Sequence, residues 1–180
     1  MSVPRIETAR LILRGFTPAD EASLHAIVSQ REVLRYFPRT EPWPLANVQK
    51  WIASQPEHWE MHGFGWYAVE QRATQQLMGW CGLRVLEDTG EIEVLYLFDK
   101  PFWGQGYATE AARACVEEGF RRYGLKLIIG LTLLGNIASQ RVLEKAGLRF
   151  LDQTPYFGVE CRRYIIDQER FTEFYGNLHD

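Results

Sequence analysis

Short apolar runs, separated by polar or glycine- and proline-rich segments, predict a chain built from many strands and a few helices. The strand-like runs are too short for helices and are bounded by turn-forming residues. The predicted strands are Arg10–Phe16, Trp66–Glu70, Leu77–Val85, Glu91–Phe98, Leu127–Leu133, Arg149–Asp152 and Val159–Asp167. The polar segment Gln71–Gln76 joins the second and third of these strands as a predicted hairpin.

Four other segments space their apolar residues as a helix does. Thr17 and Pro18 predict the start of the first helix, whose apolar face holds Leu24, Ile27 and Val28. The other predicted helices are the segment with Val48, Trp51 and Ile52 that ends near Gly63, the segment from Gly106 to about Tyr123, and Asn136–Ala146, which Gly147 closes. Pro38–Pro44 separates the first two helices.

The order of these elements favours an α/β (α+β) fold. Strands are grouped in the first half of the chain and alternate with helices in the second half. This order predicts a mixed sheet with helices on both faces, because a uniform parallel sheet would alternate throughout. A length of 180 residues suits one domain with one core, so residues 1–180 are expected to form a single domain.

Composition argues against several classes of partner and site. The formal net charge is -3, which provides no basic field for nucleic acid. The three cysteines, Cys81, Cys115 and Cys161, form no CxxC pair, so we expect neither a disulfide framework nor a metal site. No apolar run is long enough for a membrane span or a signal peptide, and a cytoplasmic location is expected.

A glycine turn precedes the third predicted helix, in the sequence WGQGYA from Trp103 to Ala108. Helix N-termini carry unpaired N–H groups and partial positive charge, so this turn is a candidate phosphate site. It is not a P-loop, because no Lys follows Gly106, and it is not a dinucleotide fingerprint, because Thr109 stands where the third glycine is needed. A third type of phosphate cradle remains.

Three segments carry a resemblance to a known family: TARLILRGFTPAD, EVLYLFDKPFWGQGYATEA and LLGNIASQRVLEKAGLRF. In their order and spacing they resemble the GNAT superfamily of acetyl-CoA-dependent N-acetyltransferases. They are most similar to the branch of ribosomal-protein N-terminal acetyltransferases (RimJ/RimL type). The resemblance extends roughly from Ile6 to Phe171. It implies a central mixed, mostly antiparallel sheet with helices on both faces, and an enzyme that acetylates a primary amine.

The resemblance also implies where acetyl-CoA binds. Backbone N–H groups of the glycine turn would hold the pyrophosphate, and the strand ending at Phe98 would splay from Leu127–Leu133 and pair with the pantetheine arm. Trp103 departs from the Arg or Gln of the general motif but is usual in this branch, and Leu95 stands where the branch often has Gly. The implied cofactor-binding residues are Tyr96, Leu97, Phe98, Trp103, Gly104, Gln105, Gly106, Tyr107, Ala108, Thr109, Asn136 and Ser139.

Two implied catalytic residues complete the site. Glu93 matches the acidic position of the family strand and would accept the proton of the amine, with Glu91 on the same strand face as the alternative base. Ser139 would donate a proton to the leaving thiolate, although a serine in the first turn of a helix is also common. The amine would attack the thioester directly, without a covalent intermediate.

The acceptor is left open by the sequence. Protein N-termini and small-molecule amines both fit the family, and a monomer or a homodimer is expected. Aromatic residues that could line an apolar or cationic-amine pocket, or simply pack in the core, are Tyr36, Phe37, Trp43, Trp51, Trp59, Phe64, Trp66, Tyr156 and Phe157. A non-catalytic acyl-CoA-binding or sensor module on the same fold is the alternative function.

Overall fold

All seven predicted strands occur in the structure, a computed structural model that describes residues 3–176. The strands are β1 (Ile6–Glu7), β2 (Leu11–Arg14), β3 (Trp66–Gln71), β4 (Leu77–Val85), β5 (Ile92–Phe98), β6 (Leu127–Leu133), β7 (Arg149–Tyr156) and β8 (Val159–Asp167). The helices are α1 (Glu21–Val28), α2 (Arg31–Leu34), α3 (Leu45–His62), α4 (Tyr107–Arg121), α5 (Ile137–Lys145) and α6 (Gln168–Gly176). Met1, Ser2 and residues 177–180, which the single-domain expectation includes, lie outside this description.

The described strands form one sheet in the order β1-β2-β3-β4-β5-β6-β8-β7. Every neighbouring pair is antiparallel except β5 and β6, which are parallel. One face of the sheet packs against α4 and α6 around Val116, Phe120 and Phe171, and the other packs against α1, α2 and α3 around Leu24, Leu34 and Val48. The prediction of a mixed, mostly antiparallel sheet with helices on both faces is therefore confirmed.

Three elements were not predicted, namely β1, α2 and α6. The strand β1 has two residues and α2 one turn, too short for a periodic signal. The helix α6 begins where Asp167 accepts the backbone N–H of Arg170 at 2.9 Å, and its Phe171 and Tyr175 are buried. The strand β7 extends to Tyr156 rather than to Asp152, because pairing with β8 continues past its apolar residues.

The two flanks of β5 differ. Seven residues of β5 pair with β4, from Ile92 opposite Val85 to Phe98 opposite Gly79. On the β6 side, the pairing recorded within residues 3–176 is a single register, Glu93 with Ile129. The two parallel strands therefore separate beyond Glu93 and leave a gap in the middle of the sheet.

Candidate active site

A cleft of about 1080 Å³ lies at this gap between β5 and β6. Its walls come from both strands, from the first turns of α4 and α5, and from the segment after α2. The predicted site residues that line it are Glu93, Tyr96, Leu97, Phe98, Trp103, Gly104, Gly106, Tyr107, Ala108, Thr109, Asn136 and Ser139. Gln105 does not line it, since its side-chain amide donates to the carbonyl of Pro101 at 2.7 Å.

The glycine turn forms the N-terminus of α4. Gly104 and Gly106 have φ of +74° and +82°, in the left-handed region that glycine adopts without strain. The first helical bond of α4 runs from the N–H of Glu110 to the carbonyl of Gly106. The N–H groups of Tyr107, Ala108 and Thr109 precede that bond, so they are available to an anion at the positive end of the helix. These donors suit the pyrophosphate of coenzyme A.

Arg10 supports this turn from β2's side of the sheet. Its guanidinium donates to the carbonyl of Gln105 at 3.0 Å and lies 4.3 Å from the ring centre of Tyr107. It also forms an ion pair with Glu110 at 2.7 Å. The sequence reasoning missed Arg10, because 95 residues separate it from the carbonyl that it holds.

The backbone of β5 offers hydrogen-bonding groups to the gap in alternation. The N–H of Asp99 donates to Met78 on β4, so the backbone groups of Asp99 and Leu97 face β4, whereas those of Tyr96 and Phe98 face the gap. The carbonyl of Phe98 already accepts the indole N–H of Trp103 at 2.7 Å. The N–H of Phe98 and the backbone of Tyr96 are thus the groups best placed to pair with an extended ligand.

Side chains of β5 also alternate, and they divide the cleft between the two faces of the sheet. Tyr96 and Phe98 lie on the α4 face, whereas Leu95 and Leu97 pack with the helices of the other face. Glu93 shares the face of Leu95 and Leu97 by the same period. Leu97 therefore lines the cleft with its side chain rather than with its backbone.

Glu93 lies where pairing between β5 and β6 stops. It is 4% exposed and its carboxylate accepts from the guanidinium of Arg84 at 2.7 Å. The backbone N–H of Leu131, the next β6 donor on that side, also bonds to it. Burial raises the pKa of Glu93 above its usual range, while Arg84 and the Leu131 N–H oppose the change. A carboxylate with a raised pKa is a stronger base.

Glu91, the alternative base, has a different environment. It does not line the cleft, and its carboxylate accepts from the Tyr156 hydroxyl and from Arg163 at 3.0 Å. Burial alone would raise the pKa of Glu91, but the hydrogen bonds from Tyr156 and Thr89, together with Arg163, outweigh burial and lower it. Glu93 is therefore the better-placed base of the two.

Ser139 and Tyr96 meet on the α4 face of the gap. Their hydroxyl oxygens are 2.8 Å apart, and the Tyr96 hydroxyl also lies 3.1 Å from the carbonyl of Ser139. Burial raises the pKa of the Tyr96 hydroxyl, so it stays protonated at neutral pH, although the hydrogen bond with Ser139 opposes this. Tyr96 was predicted as a backbone ligand, and sequence spacing provides no signal for its hydroxyl contact 43 residues away.

Asn136 caps α5 at the rim of the cleft. Its side-chain oxygen accepts the backbone N–H of Ser139 at 3.2 Å, which leaves its amide nitrogen as a donor toward the cleft. Capping and contact with acetyl-CoA are thus compatible at this residue.

Most of the aromatic residues suggested for the acceptor lie at the other end of the cleft. Those that line it are Tyr36, Phe37, Trp43, Trp51, Trp66 and Phe157. Trp59 and Phe64 belong instead to the core on the α4 face, and Tyr156 is engaged with Glu91. Trp80 also lines the cleft and is an addition that the sequence reasoning missed.

Within residues 3–176, no group of three or more His, Cys, Asp or Glu residues is placed to hold a metal ion. Cys81, Cys115 and Cys161 are buried free thiols. No helix in the same part of the chain is long and apolar enough to cross a membrane.

Comparisons with known proteins agree with this geometry. The family model described as acetyltransferase (GNAT) domain matches residues 10–149. The uncharacterized N-acetyltransferase YoaA of Bacillus subtilis (strain 168) is 31% identical over 151 residues, 81% of this chain and 83% of that protein. An acetyltransferase structure from Agrobacterium tumefaciens str. C58 has a TM-score of 0.81 at 23% identity, over 93% of this chain and 96% of that chain.

A further solved structure holds the cofactor. The ribosomal alpha-N-protein acetyltransferase RimL in complex with coenzyme A has a TM-score of 0.78 at 16% identity, over 91% of this chain and 98% of that chain. At such identities both structures show the fold alone. Because the family model covers most of the chain, the protein belongs to the GNAT family of acetyltransferases and uses acetyl-CoA as its acetyl donor.

Proposed function

We propose that the protein acetylates a primary amine by direct attack on acetyl-CoA within a ternary complex. The observation that carries this proposal is the placement of Glu93 and of the Tyr96–Ser139 hydroxyl pair on opposite faces of one strand edge. A base for the amine and an acid for the thiolate are thus available on the two sides of the gap.

The reaction follows from these positions. The neutral amine nitrogen forms a bond to the thioester carbonyl carbon, and its surplus proton passes to Glu93. Tyr96 lies three positions after Glu93, about 10 Å along the strand, so the proton would pass from the amine to the carboxylate through a water molecule. The N–H of Phe98 faces the gap and would stabilise the oxyanion.

Collapse of the tetrahedral intermediate breaks the C–S bond. The thiolate leaves and takes a proton from the hydroxyl of Tyr96 or Ser139, which yields the amide and free coenzyme A. Exchange of one proton with water then restores Glu93 and the hydroxyl. Ser139 is the predicted acid, and the Tyr96 hydroxyl at 2.8 Å extends that assignment.

We further assign the chain to the RimJ/RimL branch and expect it to act in the cytoplasm. The branch assignment is supported by Trp103 at the start of the glycine motif. A protein N-terminal α-amino group and a small-molecule amine are both candidate acceptors. The sensor alternative is not favoured, because it requires neither a buried base in the cleft nor an acid beside it.

Release of free coenzyme A thiol from acetyl-CoA, measured with a panel of amines, tests the proposal. Binding of acetyl-CoA is measured separately by calorimetry on the wild type and on Gly106→Val. We expect amine-dependent thiol release by the wild type and loss of acetyl-CoA binding in Gly106→Val, whose branched side chain disfavours the left-handed conformation. Tight acetyl-CoA binding without thiol release for any amine would instead support the sensor.

A further inference from the structure

We infer that the acceptor is a small monoamine whose amino group is attached to a flat aromatic body, as in an arylalkylamine. This inference rests on the proposed function and specifies its substrate. It is carried by the shape and charge of the cleft on the α1–α3 face of the sheet, here called the aromatic chamber: Phe37, Trp43, Trp51, Trp66 and Trp80.

The sheet register places the chamber beside the base. Arg84 is opposite Glu93, and Trp80 is opposite Leu97, so these side chains share one face of the sheet. On the next strand Trp66 is opposite Gly82 and belongs to the same face. An amine bound in the chamber therefore reaches the thioester from the Glu93 side of the gap.

The rings of the chamber pack against one another and against the core of the α1–α3 face. Trp51 is the central ring, with centroids of Trp43, Trp66 and Trp80 at 6.0, 5.9 and 6.5 Å. Phe37 meets Trp80 edge to face at 5.7 Å. All five side chains also line the cleft, so an additional ring bound there would contact them, and edge-to-face or offset contacts between aromatic rings are favourable.

The charges of the cleft argue against a polycationic acceptor. Its two carboxylates belong to Glu32 and Glu93, and each already pairs with a cation, Lys100 and Arg84 respectively. The cations that line the cleft are Arg35, Arg84, Arg141 and Lys145. The additional ammonium groups of a polyamine or an aminoglycoside would therefore find no unpaired carboxylate among the described residues that line the cleft.

The segment between α2 and α3 covers part of the chamber. The Tyr36 hydroxyl donates to the carbonyl of Gly135 at 3.2 Å and so bridges the cleft to the start of α5. The N–H of Trp43 donates to the carbonyl of Val28 at 3.1 Å, which holds the segment back on α1. A roof of this kind suits a compact molecule better than a peptide chain that must continue out of the site.

The test compares kcat/KM for matched amines: phenethylamine, n-butylamine, spermidine, an aminoglycoside and a tetrapeptide with N-terminal Phe. We expect phenethylamine to exceed n-butylamine by about 10-fold, because each aromatic contact adds to simple burial. Spermidine and the aminoglycoside are expected to be poorer still. Preference for either polycation, or for the tetrapeptide over phenethylamine, would overturn the inference.

Two variants test whether the preference for phenethylamine arises from contacts in the chamber. Phe37→Ala, in the chamber, should lower kcat/KM for phenethylamine about 10-fold more than it lowers kcat/KM for n-butylamine, because only phenethylamine loses an aromatic contact. Phe150→Ala is the matched control, since Phe150 contacts Tyr164 and does not line the cleft. Thermal unfolding of both variants checks that they fold. Equal loss for both amines in Phe37→Ala would contradict the aromatic contact.

Binding measurements separate this inference from the proposed function. The measurement uses the Trp103→Phe variant, which lacks the tryptophan at the coenzyme end of the cleft. Phenethylamine should quench the fluorescence of the chamber tryptophans in this variant, and the quenching should saturate. Saturable quenching without thiol release for any amine would support the chamber and overturn the transfer reaction. Release with n-butylamine but no preference for phenethylamine, and no quenching, would overturn the chamber and keep the transfer.

Discussion

The strand β5 has one flank that stabilises the fold and one that forms the site. On the β4 flank the pairing is continuous and so close that a Cβ atom built on Gly79 would lie 2.0 Å from the carbonyl oxygen of Leu97. On the β6 flank the pairing recorded for the described residues is Glu93 with Ile129. The difference shows that a sheet can open a site by ending one ladder early while the adjacent ladder keeps the strand in place.

The carboxylate of Glu93 links the two flanks. It forms an ion pair with Arg84 on β4. It also accepts a hydrogen bond from the backbone N–H of Leu131 on β6, just past the last paired register. An unpaired buried N–H would be costly, so this carboxylate also satisfies a donor of the strand that has separated. Substitutions on the two flanks should therefore separate stability from chemistry.

The largest expected effect is on the chemistry of the open flank. We expect Glu93→Gln to lower kcat/KM by about 100-fold or more, because general-base catalysis contributes 10²–10⁴. Glu91→Gln is the control, since it also removes a carboxylate that pairs with an arginine. It should change kcat/KM by less than about 3-fold. Comparable losses in both variants would indicate a structural role for the pair and remove the base assignment.

On the closed flank the expected effect is on stability. Gly79 has φ of +148° and no room for a side chain, so Gly79→Ala should lower the free energy of unfolding by about 3 kcal/mol, through strain and overpacking. Gly104 also has a positive φ, +74°, but open space surrounds it. We therefore expect Gly104→Ala to lower the free energy of unfolding by only about 1 kcal/mol. Denaturant unfolding of the two variants measures the difference. Equal losses of unfolding free energy would show that β4 and β5 move apart enough to accommodate the added methyl group.

A smaller effect is expected from the hydroxyl pair. Tyr96→Phe and Ser139→Ala should each lower kcat about 10-fold, with less effect on the binding of acetyl-CoA, because either hydroxyl retains part of the donor function. The double variant should lose more than either single variant. A single variant as inactive as the double one would assign the acid to that residue alone.

The pH dependence of kcat sharpens the comparison of the two carboxylates. Glu93 must be ionised to accept a proton, so kcat is lost as pH falls through its pKa. Burial raises the pKa of Glu93, so the loss should begin above the usual value of about 4.3 for a glutamate. The pKa of Glu91 is lowered, so Glu91→Gln should leave the profile unchanged. An identical acidic limb in Glu93→Gln would assign that limb to another group.

Much of the fold could be predicted from local pattern. The strands from β2 to β8 have apolar runs with turn residues between them, and the glycine turn has a recognisable form. The helix α6 was missed because its apolar face consists of few residues, and its burial depends on a core that sequence spacing does not reveal. The end of β7 was missed because Pro155 and polar residues weaken its pattern, while pairing with β8 maintains the strand.

The site was predictable only in part. The resemblance indicated Glu93, Asn136 and Ser139, and all three line the cleft. The partners of these residues depend on three-dimensional register, so Arg84 beside Glu93 and the Tyr96 hydroxyl beside Ser139 were missed. The division of the aromatic residues between the two cores, with Trp59 on the α4 face and Trp80 on the α1–α3 face, also depends on which sheet face each one meets.

The early end of the β5–β6 ladder has a consequence for the exchange of amide protons with deuterated solvent. Amides in a continuous ladder exchange only when the structure opens, whereas those that face the gap, such as the N–H of Phe98, lack that protection. Bound acetyl-CoA would slow their exchange and leave the β4 flank as it was. A line of newly protected amides along one edge of one strand would thus record the path of the cofactor through the sheet.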